Sequence, residues 1–361
     1  MSTVKSLVQK TVSRIRQHVV EKAVQHPEKF ITKESPELAA IFDCVREPIS
    51  KVEDLVLKQV ERFDAGVQSY IQYTLSTHGK RIRPALVFFA AGACGVKTPE
   101  HDKLAMILEL IHLATLVHDD IIDEASVRRG QPTVQRKWGA ETAVLVGDSI
   151  FAHALMEATY FTDNEICRRI SFESNEVCQG EILQTQRRYD YTMTIPEYFK
   201  LIEMKTGALF RASTELAAKI SGATLEQVAA MREFGTKLGV AYQIWDDCVD
   251  IYGKENEIGK SLGTDLDKGK LTLPILIFLS HANQEAQAEV RELMLHHTDK
   301  ARKQLARMIE ESGAFSESIQ IISNHLDDAH NALTPFAPSE FKTSLINFID
   351  YLRSRTMKLK A

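Results

Sequence analysis

From Leu104 to Ile122 apolar residues lie almost all round the helical wheel, and this stretch closes on Asp119, Asp120 and Asp123. A helix apolar on every side is a buried helix, so the chain must fold around it. Carboxylates at the end of such a helix are costly unless they neutralise, pair with a cation or bind a metal. Asp119 and Asp123 stand four residues apart, one turn along one face. That spacing suits a hard cation.

One acidic triplet is ordinarily a solvated helix face, but this one has a second copy. Asp246, Asp247 and Asp250 end another apolar run, GVAYQIWDDCVDIYG, with Gln243 one turn back. Two such acidic ends facing each other would hold a cluster of Mg2+ ions. Mg2+ keeps several waters and takes one or two carboxylates together with substrate phosphates. The expected substrate therefore carries a diphosphate.

Beyond the first forty residues nearly every segment has helical period, with short turns such as Ser221-Gly222 and Glu311-Ser312-Gly313. The expectation is an all-α chain with one large domain over residues 41–361, behind an N-terminal extension over 1–40. A balance of 44 basic against 49 acidic residues, net −5, argues against a nucleic-acid partner. The five cysteines, Cys44, Cys94, Cys167, Cys178 and Cys248, form no paired motif and read as reduced core residues, which places the chain in a reducing, cytoplasmic compartment. No apolar run is long enough to span a bilayer. At the start, Val4, Leu7, Val8, Val12, Ile15 and Val19 form an apolar stripe beside Lys5, Lys10, Arg14 and Arg16. That segment suits a helix packed on the domain, an organelle-targeting peptide or a membrane-surface helix, the last giving a peripheral membrane contact.

The basic residues come in groups. Lys80, Arg81 and Arg83 precede Pro84, a residue favoured at the first position of a helix, whose N-terminus also attracts anions. His112 lies seven residues before Asp119 and faces nearly the same way. Arg128, Arg129 and Gly130 follow the first triplet, either as ordinary helix C-terminal chemistry or as a pair of guanidiniums for bidentate phosphate binding. Lys205 and Thr206 interrupt a helix before Gly207, which suits close approach of a partner, and Lys260 and Lys270 lie in a Gly-rich loop after the second triplet. Such a loop can close over a metal-bound diphosphate.

Taken in order, GKRIRP, DDIID, RRGQPTV, the Gly147-Asp148 pair, QGE at 179–181, KTG and FGTKLGVAYQIWDDCVD resemble the trans-isoprenyl diphosphate synthases of the polyprenyl synthase type, over roughly residues 45–355. The resemblance implies a helical bundle around a deep central cavity, the isoprenoid synthase fold, and a homodimer. It implies Mg2+ on Asp119 and Asp123 with Asp120 assisting, and on Asp246 supported by Asp247 and Asp250. Arg128, Lys205, Thr206, Gln243, Lys260 and Lys270 would hold the allylic diphosphate, and Lys80, Arg83, His112 and Arg129 the isopentenyl diphosphate. Asp119, Asp120, Asp123, Arg128, Lys205, Asp246 and Lys260 would be the catalytic set. His78 departs from the family, which commonly has a further Gly before Gly79-Lys80.

In the family, bulky side chains four or five residues before the first triplet stop the growing tail early; here those residues are Ala114 and Thr115, both small. A helical turn rises about 5.4 Å, close to one extended isoprene unit, so the expected product is long, roughly thirty to fifty carbons. Ile111 and Leu108, further down, would help set the floor, and Ala114→Phe is expected to shorten the product without loss of turnover. A terpene cyclase would want Ser or Thr, then Glu, where this chain has Asp250 and Lys254. A short-chain synthase and a non-catalytic regulatory subunit are the alternatives.

Overall fold

The computed structural model describes residues 36–77, 79–253, 263–296 and 298–360. The N-terminal apolar stripe, His78 and Lys260 lie outside the described residues. The longer helices are α1 (Arg46–Lys58), α2 (Gln68–Leu75), α3 (Ile82–Ala93), α4 (Pro99–Ile122), α5 (Ala140–Ala158), α6 (Asn164–Gln186) and α7 (Ile195–Ile202). They continue with α8 (Ala208–Ile220), α9 (Leu225–Tyr252), α10 (Leu273–His281), α11 (Gln284–Leu295), α12 (Asp299–Glu311), α13 (Ala314–Ala332) and α14 (Glu340–Met357). Among the described residues the strands form one two-stranded hairpin, Val127–Arg128 against Gln131–Pro132. The all-α expectation holds, and no helix among the described residues is long and apolar enough to cross a membrane.

The apolar run seen in the sequence becomes α4, which starts where local chemistry says it should. Pro99 occupies the first turn, where its missing N–H costs nothing, and Thr98 and His101 cap each other reciprocally. Leu104, Ile107, Leu108, Leu110 and Ile111 are fully buried. The one acid inside the run, Glu109, is buried too, and it is paired: Arg81 donates to it at 2.5 Å and to Glu53 at 3.0 Å. Such a buried pair must be complete, because removing one partner strands the other charge.

α9, capped by Thr224 and Gln227, packs on α8 and α13, while α3 lies between α4, α8 and α14. Phe88, Phe89, Phe210, Phe234 and Phe348 fill the space between these helices. The two acid-bearing helices, α4 and α9, thus lie on either side of α8, and their C-terminal ends carry the two triplets.

Pro84 is the third residue of α3 rather than the first, since the helix starts at Ile82. It still falls in the first turn, where backbone N–H groups have no helical partner. Gly222 and Gly313 have φ of +71° and +83°, as the turns read from the sequence require. The cysteines are less buried than expected: Cys248 is buried, Cys178 is exposed and the other three are intermediate.

Candidate active site

α4 ends at Ile122 and the chain reverses through Glu124, at φ +48°. Arg128 and Arg129 are therefore not a helix C-terminus. They belong to the hairpin, whose tip, Arg129 and Gly130, has φ of +51° and +78°, the left-handed pair of a tight hairpin turn. The reversal carries Arg128 back onto the triplet it follows, and its Nε donates to Asp120 Oδ1 at 2.6 Å. Gln135 and Thr133 tie the same segment to backbone carbonyls of Asp120 and Ala125. Burial pushes the Asp120 carboxyl up to about 6, with Arg128 opposing the shift.

The hairpin tip also brings Arg129 to the residues ahead of α3. A Cβ on Gly79 would lie 2.3 Å from Arg129 Nη1, so this glycine is the one whose lack of a side chain matters in that loop. Arg83 lies with its guanidinium 5.4 Å from the Phe210 ring, and its buried Nε has no hydrogen-bond partner. Lys80 is exposed and sits 6.0 Å from the Trp245 ring. Burial, joined by the charges of Arg83, Arg129, Arg128 and Arg81, drives the His112 imidazole well below its ordinary value. Burial and the neighbouring Arg128, Arg81 and Arg83 lower Arg129 to about 10. His112 is thus neutral among arginines, a setting that suits an anion. Arg81, adjacent in sequence, is turned away into its pair with Glu109.

The third set comes from a break in regular helix. Glu203–Gly207 forms a π-helix between α7 and α8, which widens the turn and presents Lys205 and Thr206 sideways. The close approach that Gly207 suggested is made by its neighbours: a Cβ on Gly180 would lie 2.8 Å from Lys205 N, and one on Gly239 2.9 Å from Gly207 Cα. Lys205 pairs with Glu181 and donates to Gln184 at 2.8 Å. Thr206 Oγ1 donates to Gln243 Oε1 at 2.6 Å, Gln243 Nε2 to Asp247 Oδ1 at 2.7 Å, and Tyr198 OH to Asp247 Oδ2 at 2.6 Å.

Asp247 is buried and both its oxygens accept protein hydrogen bonds; burial raises its carboxyl to about 8. Asp250 is buried as well, and it accepts from Thr264 N and Oγ1 at 3.2 Å each and from Asp265 N at 3.0 Å. Asp247 thus ties α9 to Tyr198 on α7, and Asp250 ties it to the 264–265 turn. Asp246 is the member with partial exposure. Tyr198 was missed in the sequence, since nothing local marks a tyrosine 49 residues away as its carboxylate's partner.

The two triplets meet through the loop after α9. Lys270 Nζ donates to Asp123 Oδ2 at 3.1 Å and lies 3.3 Å from Asp265 Oδ1, while Arg188 Nη2 donates to Asp123 Oδ1 at 2.9 Å. Burial alone would raise Asp123, but Lys270 and the nearby Lys205 and Arg188 hold it below its ordinary value. Arg188 is a second residue the sequence reading did not single out. Among the described residues no three acidic, His or Cys side chains form a ready-made metal cage. The donors present are nonetheless hard oxygens, and the carboxylate best placed for a cation already carries two positive side chains. Of the chain-length candidates on α4, Ala114, Ile111 and Leu108 are fully buried; Thr115 keeps partial exposure, on the Asp119 face, and donates to His112 O at 2.8 Å.

The polyprenyl synthetase family model matches residues 64–312. An all-trans-nonaprenyl-diphosphate synthase (geranyl-diphosphate specific) of Rhodobacter capsulatus is 31% identical over 90% of this chain and 97% of its own length. Heptaprenyl diphosphate synthase component 2 of Geobacillus stearothermophilus is 31% identical over 88% and 99%. A crystal structure of a polyprenyl synthase from Caulobacter crescentus, complexed with calcium and isoprenyl diphosphate, superposes with a TM-score of 0.82 at 28% identity, covering 89% of this chain and 99% of that one. With the family model matched over most of its length and relatives at 31% identity, the chain belongs to the polyprenyl synthetase family of prenyltransferases.

Proposed function

We propose that the chain is a Mg2+-dependent trans-prenyltransferase that condenses isopentenyl diphosphate with an allylic primer, farnesyl or geranylgeranyl diphosphate, and extends it to a long polyprenyl diphosphate. The observation that carries this reading is the Lys270–Asp123 contact. A lysine from the loop after the second triplet reaches the first, so both acidic ends and their cations serve one site. Asp119, Asp123 and Asp246 would hold the metal, with Asp120 linking it to Arg128. Bound there, Mg2+ would stabilise negative charge on the departing diphosphate.

The protein's own contribution is electrostatic. Lys205, Thr206, Gln243 and Lys270, with Lys260 from outside the described residues, hold the allylic diphosphate and favour its departure. Arg83, Arg129 and Lys80 bind the second diphosphate beside neutral His112, and orient the isopentenyl double bond towards the allylic carbon. Attack forms the new carbon–carbon bond, and the proton then lost goes to the released diphosphate. The reading assigns no protein base.

A second copy of the chain is the proposed partner. Leu145, Met156, Phe172 and Ile182 on the adjacent helices α5 and α6 are 68, 40, 49 and 58% exposed, an apolar surface suited to a dimer. Product analysis by mass spectrometry, on purified protein with Mg2+, isopentenyl diphosphate and either primer, tests the function. A ladder ending in one long product and abolished by Asp119→Ala supports it, whereas a stop at twenty carbons makes this a short-chain enzyme. No product from either primer supports a subunit that needs a partner, the arrangement suggested by the relative named as a numbered component.

A further inference from the structure

The segment just after α6 is built around one residue. Arg187 is anchored by Asp190 and Glu197, at 2.5 Å each. Tyr189 takes φ +58°, its N–H donates to Gly269 O at 2.8 Å and its hydroxyl to Asp267 O at 3.2 Å. A Cβ on Gly269 would lie 2.4 Å from the Tyr189 ring, so the two segments are seated against each other backbone to ring. The partner segment is the one that Asp250 holds and that ends in Lys270. Between its two anchored neighbours, Arg188 is aimed at Asp123.

Asp123 therefore has both oxygens engaged by cations, Arg188 on one and Lys270 on the other. Lys270 is also paired with Asp265, 3.3 Å away, so the two cations face two carboxylates. Arg188 nonetheless keeps an unfilled donor, because its Nε is buried with no hydrogen-bond partner. A buried guanidinium N–H without an acceptor is costly to leave unmade. Its fork geometry is matched by a phosphate group, and a metal ion on Asp123 would have to displace the guanidinium from Oδ1.

We propose that Arg188 is a further ligand of the allylic diphosphate, held on Asp123 in the substrate-free protein and transferred to phosphate oxygens when metal takes that carboxylate. The proposal rests on the functional reading above, and it predicts effects of opposite sign for metal and for anion. With Arg188→Gln, the competitor for Asp123 is gone, so Mg2+ alone binds the substrate-free protein several-fold more tightly by calorimetry. Inorganic diphosphate, titrated at saturating Mg2+, binds about tenfold more weakly, the effect of one charge-assisted hydrogen bond. Arg188→Lys keeps the charge and loses the fork, so it retains near wild-type Mg2+ affinity and still weakens diphosphate. If Arg188 only held the loop in place, both affinities of the Gln variant would fall together; that result, or no change in either, overturns the proposal. Arg188→Lys decides the matter if the Gln variant does not fold, because diphosphate affinity equal to wild type refutes a forked contact. Failure of the wild-type protein to bind diphosphate would instead sink the functional reading beneath it.

Discussion

Gly180→Ala places a methyl group against the π-helix that presents Lys205. The added Cβ would lie 2.8 Å from Lys205 N and 3.1 Å from its Cα, about 0.6 Å inside ordinary contact, and the obstacle is backbone. Two opposed terms set the stability change. Alanine in place of glycine inside α6 favours the helix by about 1 kcal/mol. Overpacking against a rigid neighbour costs about 1–3 kcal/mol. The net loss is then about 0–2 kcal/mol, which lowers Tm by several degrees at most in a protein of this size. Activity should suffer more, since the strain is relieved by moving Lys205 and Thr206. A displacement near 1 Å costs about a hundredfold. A shift of half that size should cost roughly tenfold in kcat/KM for the allylic diphosphate, a figure scaled from the same relation. Steady-state kinetics beside a thermal melt separate the two effects. A variant more stable than wild type with full activity would show that α6 and the π-helix are not in the contact argued here.

Three further perturbations follow from the same geometry. Asp250→Asn leaves one acceptor oxygen where three donors from Thr264 and Asp265 now converge. Amide exchange over 263–270 should accelerate and KM for the allylic diphosphate should rise; unchanged exchange would remove Asp250 from its loop-holding role. His112 stays neutral in the folded protein while the unfolded chain takes up a proton below about pH 6.5, so the folded state loses stability as pH falls through that value. His112→Asn should therefore gain relative to wild type between pH 7.5 and 5.5 in urea unfolding, and parallel pH profiles would contradict the buried, arginine-ringed setting. Thr115→Phe fills the partly exposed position on the Asp119 face and should shorten the product, whereas the full burial of Ala114 revises the expectation from sequence, and Ala114→Phe should mainly lose stability. Product length and Tm measured on both variants distinguish the two positions.

Much of the site was legible in the chain itself. A long apolar run ending in carboxylates is legible because burial and charge are properties of residues at known helical spacing. The helix start read at Pro84 was legible to within a turn, α3 beginning two residues earlier at Ile82. The doubled triplet, the KTG interruption and the cationic groups follow from short-range pattern alone. The all-helical fold and the family followed from their order.

What only the tertiary structure decided was which charge meets which. Asp247 and Asp250 read like their counterparts in the first triplet, yet Tyr198 and the 264–265 turn take up their oxygens. Arg81 and Arg83, two residues apart, go to a buried glutamate and to the face of Phe210 respectively. Arg128 reaches Asp120 because the chain reverses through Glu124 just after α4, and Arg188 reaches Asp123 across 65 residues. The residue type sets what a side chain can bind. Its partner is settled by which helices pack together, because a carboxylate's setting is made of atoms distant in sequence.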